Sequence, residues 1–144
     1  MSKAQPDIHD AELVLKVYDL RREPVMRASR DAIVGKFWPK TYEEFFAVTK
    51  FDHPLNAAHR QVVSYYEMIY GFVKNGVVHA DFFLESNNGE GLFYFARVHQ
   101  YLERFRKDYS PNAMANHEWV VQNTQAGKRI FETFQKRIQA MAAK

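Results

Sequence analysis

Arg60, Glu67, His79, Asp81 and Arg104 are the side chains whose types and spacing could form a polar site. His79 and Asp81 stand two residues apart, and a nearby carboxylate can orient or charge an imidazole. Either can equally cap free amides at the start of the segment they occupy. Arg60 and Glu67 are separated by about two helical turns and share one face of any helix that contains both. Acid–base chemistry in a cleft holding Arg60, Glu67, His79 and Asp81 is therefore one reading. The His79–Asp81 pair has no third partner in the local sequence, so no catalytic residue is assigned.

Metal and nucleotide chemistry have less support. None of His9, His53, His59, His79, His99 and His117 follows a Glu by three residues, so the Glu-x-x-His signature of carboxylate-bridged iron bundles is missing. His117-Glu118 is followed by Val121 where a zinc protease motif needs histidine. Cysteine is absent, which removes disulfides, thiolate metal sites and a cysteine nucleophile together. The glycines at 35, 71, 76, 89, 91 and 127 form neither a phosphate loop nor a dinucleotide fingerprint, and no Gly-x-Ser-x-Gly elbow occurs. No metal and no cofactor are expected.

The elements that must position these residues read as helical nearly throughout. Asp10 is a plausible cap for a first helix to about Arg22, with Glu12, Lys16, Asp19 and Glu23 as a narrow polar stripe. Leu13, Val14, Leu15, Val17, Tyr18 and Leu20 make the rest apolar, so this helix should be central or meet a second subunit. Pro24 opens a second helical stretch to about Phe37, as a break or a kink. Thr41 and Glu44 form a capping box for a short helix to about Lys50. Asp52 or His53 can cap a fourth helix that ends at Asn75-Gly76. A short segment, Val77 to Glu85, leads to the loop Ser86–Gly89.

From Glu90 to Tyr109 the residues Tyr94, Val98, Tyr101, Leu102, Phe105 and Tyr109 share an arc, with Arg97, Gln100, Arg104 and Lys107 facing away. A last helical stretch runs from Pro111 to about Met141, with an interruption near Gly127. On the fourth helix Arg60, Ser64, Glu67, Gly71 and Lys74 lie within roughly an 80° stripe. That stripe is either the exposed edge of a core helix or a face that meets another helix. In the second case small Ser64 and Gly71 permit close approach, and Arg60 and Glu67 join a buried network with His79, Asp81 or Arg104.

Residues Arg60 to Gly76, RQVVSYYEMIYGFVKNG, with Val78, His79 and Asp81 beyond them, resemble an uncharacterised bacterial and phage-associated helical family, a domain of unknown function. Tyr66-Glu67 matches its aromatic-Glu pair, Phe72 to Gly76 its turn, and Arg104 or Arg106 a later arginine; Phe131-Glu132 is a weaker element. The likeness spans residues 8 to 140 loosely and 57 to 107 well. A tryptophan expected before the later arginine is replaced among Phe93, Tyr94 and Phe95. Many relatives carry an N-terminal membrane helix, which this sequence lacks. The resemblance implies an all-α fold and no particular activity.

At 144 residues, 47% hydrophobic and 15% aromatic, the chain suits one domain with an aromatic-rich core. The expected fold is an all-α bundle of six or seven helices over residues 1–144, with residues 1–8 as a flexible tail. The longest apolar run, Leu92 to Ala96, cannot cross a bilayer and no signal peptide is visible, so a soluble cytoplasmic protein is expected. The leading functional reading is a non-enzymatic interaction module, a homodimer, because the first and fourth helices are apolar almost all round. Its rivals are the small enzyme above and weak binding of nucleic acid or an acidic partner. The latter would use Arg104, Arg106, Lys107, Lys128, Arg129, Lys136 and Arg137; the net charge of +3 gives nucleic acid little support.

Overall fold

A computed structural model describes residues 3–144. In chain order its elements are α1 (Ile8–Arg22), α2 (Pro24–Arg30) continuing into a π-helical turn (Asp31–Gly35), α3 (Tyr42–Val48), α4 (Asn56–Lys74), α5 (Ala80–Glu85), α6 (Glu90–Asp108), α7 (Ala115–Asn123) and α8 (Gln125–Ala142). The all-α reading holds. Among the described residues there are eight α-helices, which corrects the expected six or seven. The extra helix arises because the stretch after Pro111 is divided at Thr124, whose backbone is extended.

Local capping explains most boundaries. Asp7 rather than Asp10 caps α1: its carboxylate accepts the amides of His9 and Asp10, and Asp10 returns a carboxylate to the Asp7 amide at 2.8 Å. Asp10 is thus the third helical residue of a capping box. Of the stretch 1–8 read as a tail, residues 1 and 2 lie outside the described residues. Lys3 bonds Asp7 and Asp10, and Ile8 is already helical. Pro24 makes a break: Glu23 is extended, and its carboxylate accepts the amides of Val25 and Met26. Thr41 caps α3 through the Glu44 amide, but the returning Glu44 carboxylate takes the Lys40 amide.

Helix α4 starts later than expected, at Asn56, because His53 caps the turn before it through the Leu55 amide. It stops where read, with Gly76 at φ 72°, a conformation that glycine adopts without steric cost.

The core is one continuous cluster built largely from α4 and α6. α4 packs on α2 and α7, while α6 packs on α8, and α8 also covers α7 and α5. Aromatic rings fill the centre, with Tyr66, Tyr70, Tyr94, Phe45, Phe83 and Phe95 almost wholly buried. Their hydroxyls are used: Tyr65 donates to the Val17 carbonyl and Tyr70 to that of Asn88. Gly91 lets the first turn of α6 sit on α4, since a Cβ there would lie 2.5 Å from Cγ of Tyr66.

Of the two placements read for α1, central or facing a second subunit, the central one is corrected, and so are two residues of α6. α1 is not central: apart from Asp10 and Val17 its residues are exposed or only partly covered. Arg97 does not face away from the core; it is 3% exposed. Tyr109, at the end of the apolar arc, is exposed.

Candidate functional site

The polar stripe of α4 divides between solvent and a neighbouring helix. Arg60, Ser64 and Lys74 are exposed, whereas Glu67 and Gly71 are partly covered by α7. Glu67 supplies the cap that α7 lacks locally. The residue before α7, Met114, has left-handed geometry and makes no side-chain cap. Glu67 accepts the amides of Asn116 and His117 at 2.9 and 3.1 Å and meets Nδ1 of His117 at 2.8 Å. The Asn116 side chain donates to the Glu67 carbonyl, and Gly71 leaves room for it. Burial pushes the Glu67 carboxyl up, but the His117 ring and the two amides outweigh it and hold the group below its usual range. Burial likewise lowers the His117 pKa against the opposing pull of Glu67, favouring neutral imidazole beside carboxylate.

His79 and Asp81 act as caps. The His79 ring accepts the Phe82 amide in the first turn of α5, and Asp81 accepts the Ala126 amide in the first turn of α8. Arg104 lies over the Tyr42 ring at 3.9 Å, near Glu43 and Asp108. The five residues therefore occupy three places. Arg60 and Glu67 border one groove, His79 and Asp81 another, and Arg104 a third. This arrangement does not gather Arg60, Glu67, His79 and Asp81 in the single cleft that acid–base chemistry would need. The basic residues of the C-terminal half are partly engaged as well, Arg106 by Glu118 and the Ala113 carbonyl, and Arg129 by Glu85. No group of three or more His, Asp or Glu residues that could hold a metal occurs among the described residues.

The groove bordered by Arg60 and Glu67 has a volume of about 450 Å³ and lies between α3, α4, α6 and the turn before α7. Its walls are mostly apolar. His59 lines it, with Nε2 2.8 Å from the Tyr94 hydroxyl. Burial first, then the nearby His53, lowers the His59 pKa to about 4. An imidazole with a depressed folded pKa contributes stability that is complete above the unfolded value, near 6.5, and is lost as pH falls toward the folded one. From this shift alone, urea-melt stability should fall by about 3 kcal/mol between pH 6.5 and 4. His59→Gln should flatten that slope; an unchanged slope in the variant would assign the loss elsewhere.

Two polar clusters were not legible in the sequence. Glu90, in the first turn of α6, is shared by Arg21 and Arg30, with the Tyr66 hydroxyl at 3.2 Å. The Arg97 guanidinium donates to the carbonyls of Ile33, Val34 and Phe37 at the π-helical turn and lies 3.6 Å from the centre of the Trp38 ring. Burial lowers the Arg97 pKa to about 10, which leaves it charged at neutral pH. The only signal was positional: Arg97 sits roughly 40° from Tyr101 on the helix, at the margin of the apolar arc.

A separate surface is apolar and open. Ile8 is 66% and Leu15 67% exposed, and Tyr18 is exposed with them, whereas the exposed Leu20 lies about 140° round the helix from Leu15. Ile8, Ala11, Leu15 and Tyr18 alternate by three and four residues and so form one stripe along α1. No described helix is long and apolar enough to cross a membrane.

A family model described as a domain of unknown function (DUF4760) matches residues 6–124, from just before the α1 cap to the Thr124 cap of α8. No curated protein matches the chain, and no solved structure does.

Proposed function

The chain belongs to the DUF4760 family of unknown function, and from that premise we propose that it is a non-enzymatic interaction module that pairs with a second copy of itself through α1. The observation that carries this reading is the exposure of Ile8, Leu15 and Tyr18 along one face of α1. Isolated exposed apolar side chains are ordinary, but a stripe of them along one helix favours a partner. The three–four alternation of Ile8, Ala11, Leu15 and Tyr18 is the spacing of a two-helix seam. Fully covering one such aliphatic side chain contributes about 1.5–3 kcal/mol, so a few on each copy can support association.

Light scattering after size exclusion tests the reading. The expected mass is twice 17.0 kDa, and Leu15→Lys should return the monomer with its helical circular dichroism intact. A wild-type chain that stays monomeric at 100 µM, on the order of a weak pairing constant, overturns it.

A further inference from the structure

We infer that the groove between α3, α4 and α6 binds a small amphipathic carboxylate, with its apolar body against Phe45, Val63, Leu102, Phe105 and Met114 and its anionic head at Arg60. This does not rest on self-association, because the groove and the α1 stripe have no residue in common. A volume of about 450 Å³ is ample for a small ligand, and mostly apolar walls with a few convergent polar groups are the usual make-up of such sites.

The polar groups fix which end carries which charge. Arg60 is exposed, spends Nε on the Asn56 side chain at 2.9 Å, and has no carboxylate paired with it among the described residues. Its two terminal amino groups remain available, and a guanidinium presents them in the geometry that a carboxylate accepts in pairs. At the other end, about two helical turns away, Glu67 keeps its negative charge against Asn116 and His117, which disfavours an anionic head there and sets it at the Arg60 end. Near Arg60, His59 lines the groove, and Nε2 is the nitrogen that meets the Tyr94 hydroxyl. When the Tyr94 hydroxyl donates to Nε2, Nδ1 carries the proton and can donate to a ligand oxygen.

The wall itself bears a second mark of a built site. Met114 is a non-glycine residue at φ 52° and ψ 33°, and its side chain lines the groove. Such strained residues persist where the surroundings hold them, and they cluster at ligand clamps. Methionine also adapts its shape to an apolar guest.

Octanoate, 1-octanol and octylamine, titrated against the full chain by calorimetry and by amide chemical shifts, separate the terms. Octanoate is expected to bind at least tenfold more tightly than octanol, with octylamine weaker still and the largest shifts at Val63, Leu102 and Met114. Arg60→Gln should bring octanoate down to the affinity of octanol. Val63→Trp should abolish both while the melting curve stays cooperative. Equal affinity for octanoate and octanol in the wild type overturns the assignment, as do shifts centred on Leu15 and Tyr18 or no shift up to millimolar octanoate. Should Val63→Trp fail to fold, the wild-type shift map and Arg60→Gln still decide the question.

Discussion

Gly127→Ala is expected to lower stability by about 4 kcal/mol, near the top of the range for a single substitution. Gly127 lies in the first turn of α8, directly under the end of α7. A Cβ there would collide with the carbonyl oxygen and carbon of Val120 and would stand 2.5 Å from the Thr124 hydroxyl oxygen. Backbone cannot yield as the tip of a flexible side chain can. The same carbonyl accepts both the Thr124 amide and hydroxyl, and Thr124 in turn caps α8 through the Gly127 amide. Moving it aside would loosen the connection between the two helices and disturb the packing of Ala126 and Phe131. Urea unfolding followed by circular dichroism measures the loss, which corresponds to a fall in melting temperature of roughly 10–15 °C for a domain of this size. A change below about 1 kcal/mol would mean that α7 and α8 can separate at little cost, contrary to the close contact between them.

Arg97→Met should cost a comparable amount, about 4 kcal/mol, although methionine keeps much of the apolar stem. Three carbonyls, of Ile33, Val34 and Phe37, receive the Arg97 guanidinium, at 3.1, 2.8 and 2.6 Å. A buried acceptor left without a donor costs about 1–3 kcal/mol; the Ile33 carbonyl keeps the Lys36 and Phe37 amides, so the loss falls mainly on Val34 and Phe37, and the partial exposure of Phe37 allows water to recover some of it. The contact with Trp38 is lost as well. Arg97→Lys should recover only a minority of the stability, because one ammonium cannot span the carbonyls that the planar fork reaches. Tryptophan fluorescence gives a local readout at Trp38, beside Trp119 as the second emitter. A methionine variant as stable as the wild type would show that the carbonyls find water or another donor.

These two positions also mark the limit of what helical patterning reveals. The interruption near Gly127 was legible because the end of one helix and the start of the next leave local traces in glycine and threonine. Its place at Thr124, and the need for a bare Cα at 127, depend on where α7 comes back against α8. By helical spacing Arg97 falls with Gln100, Arg104 and Lys107 on the outward face. A charged residue at the margin of an apolar arc can snorkel to water or turn inward to backbone carbonyls. The turn that supplies them lies more than sixty residues earlier.

By spacing alone the α4 stripe is either exposed or helix-facing, and each alternative applies to part of it. Arg60, Ser64 and Lys74 stay at the surface, while Glu67 and Gly71 receive α7. The sequence could not apportion them, because the partners of Glu67 are 49 and 50 residues away. His79 was legible as a cap since the Phe82 amide it holds is three residues on. Asp81 was equally plausible in that role, yet it serves Ala126, 45 residues away.

By itself the sequence determined the all-α class, the span of α6, the stop of α4 at Gly76 and the cap at Thr41. These follow from hydrophobic period, backbone conformation and hydrogen bonds closed within about four residues, all of which adjacent side chains dictate. The tertiary structure decided the rest. It put Arg97 over the π-helical turn, shared Glu90 between Arg21 and Arg30, gave Glu67 to α7, and left α1 at the surface with its apolar stripe uncovered. Each of these depends on which unpaired amide, carbonyl or charge is brought alongside by folding. Helical periodicity tells which residues share a face; only packing tells what that face meets.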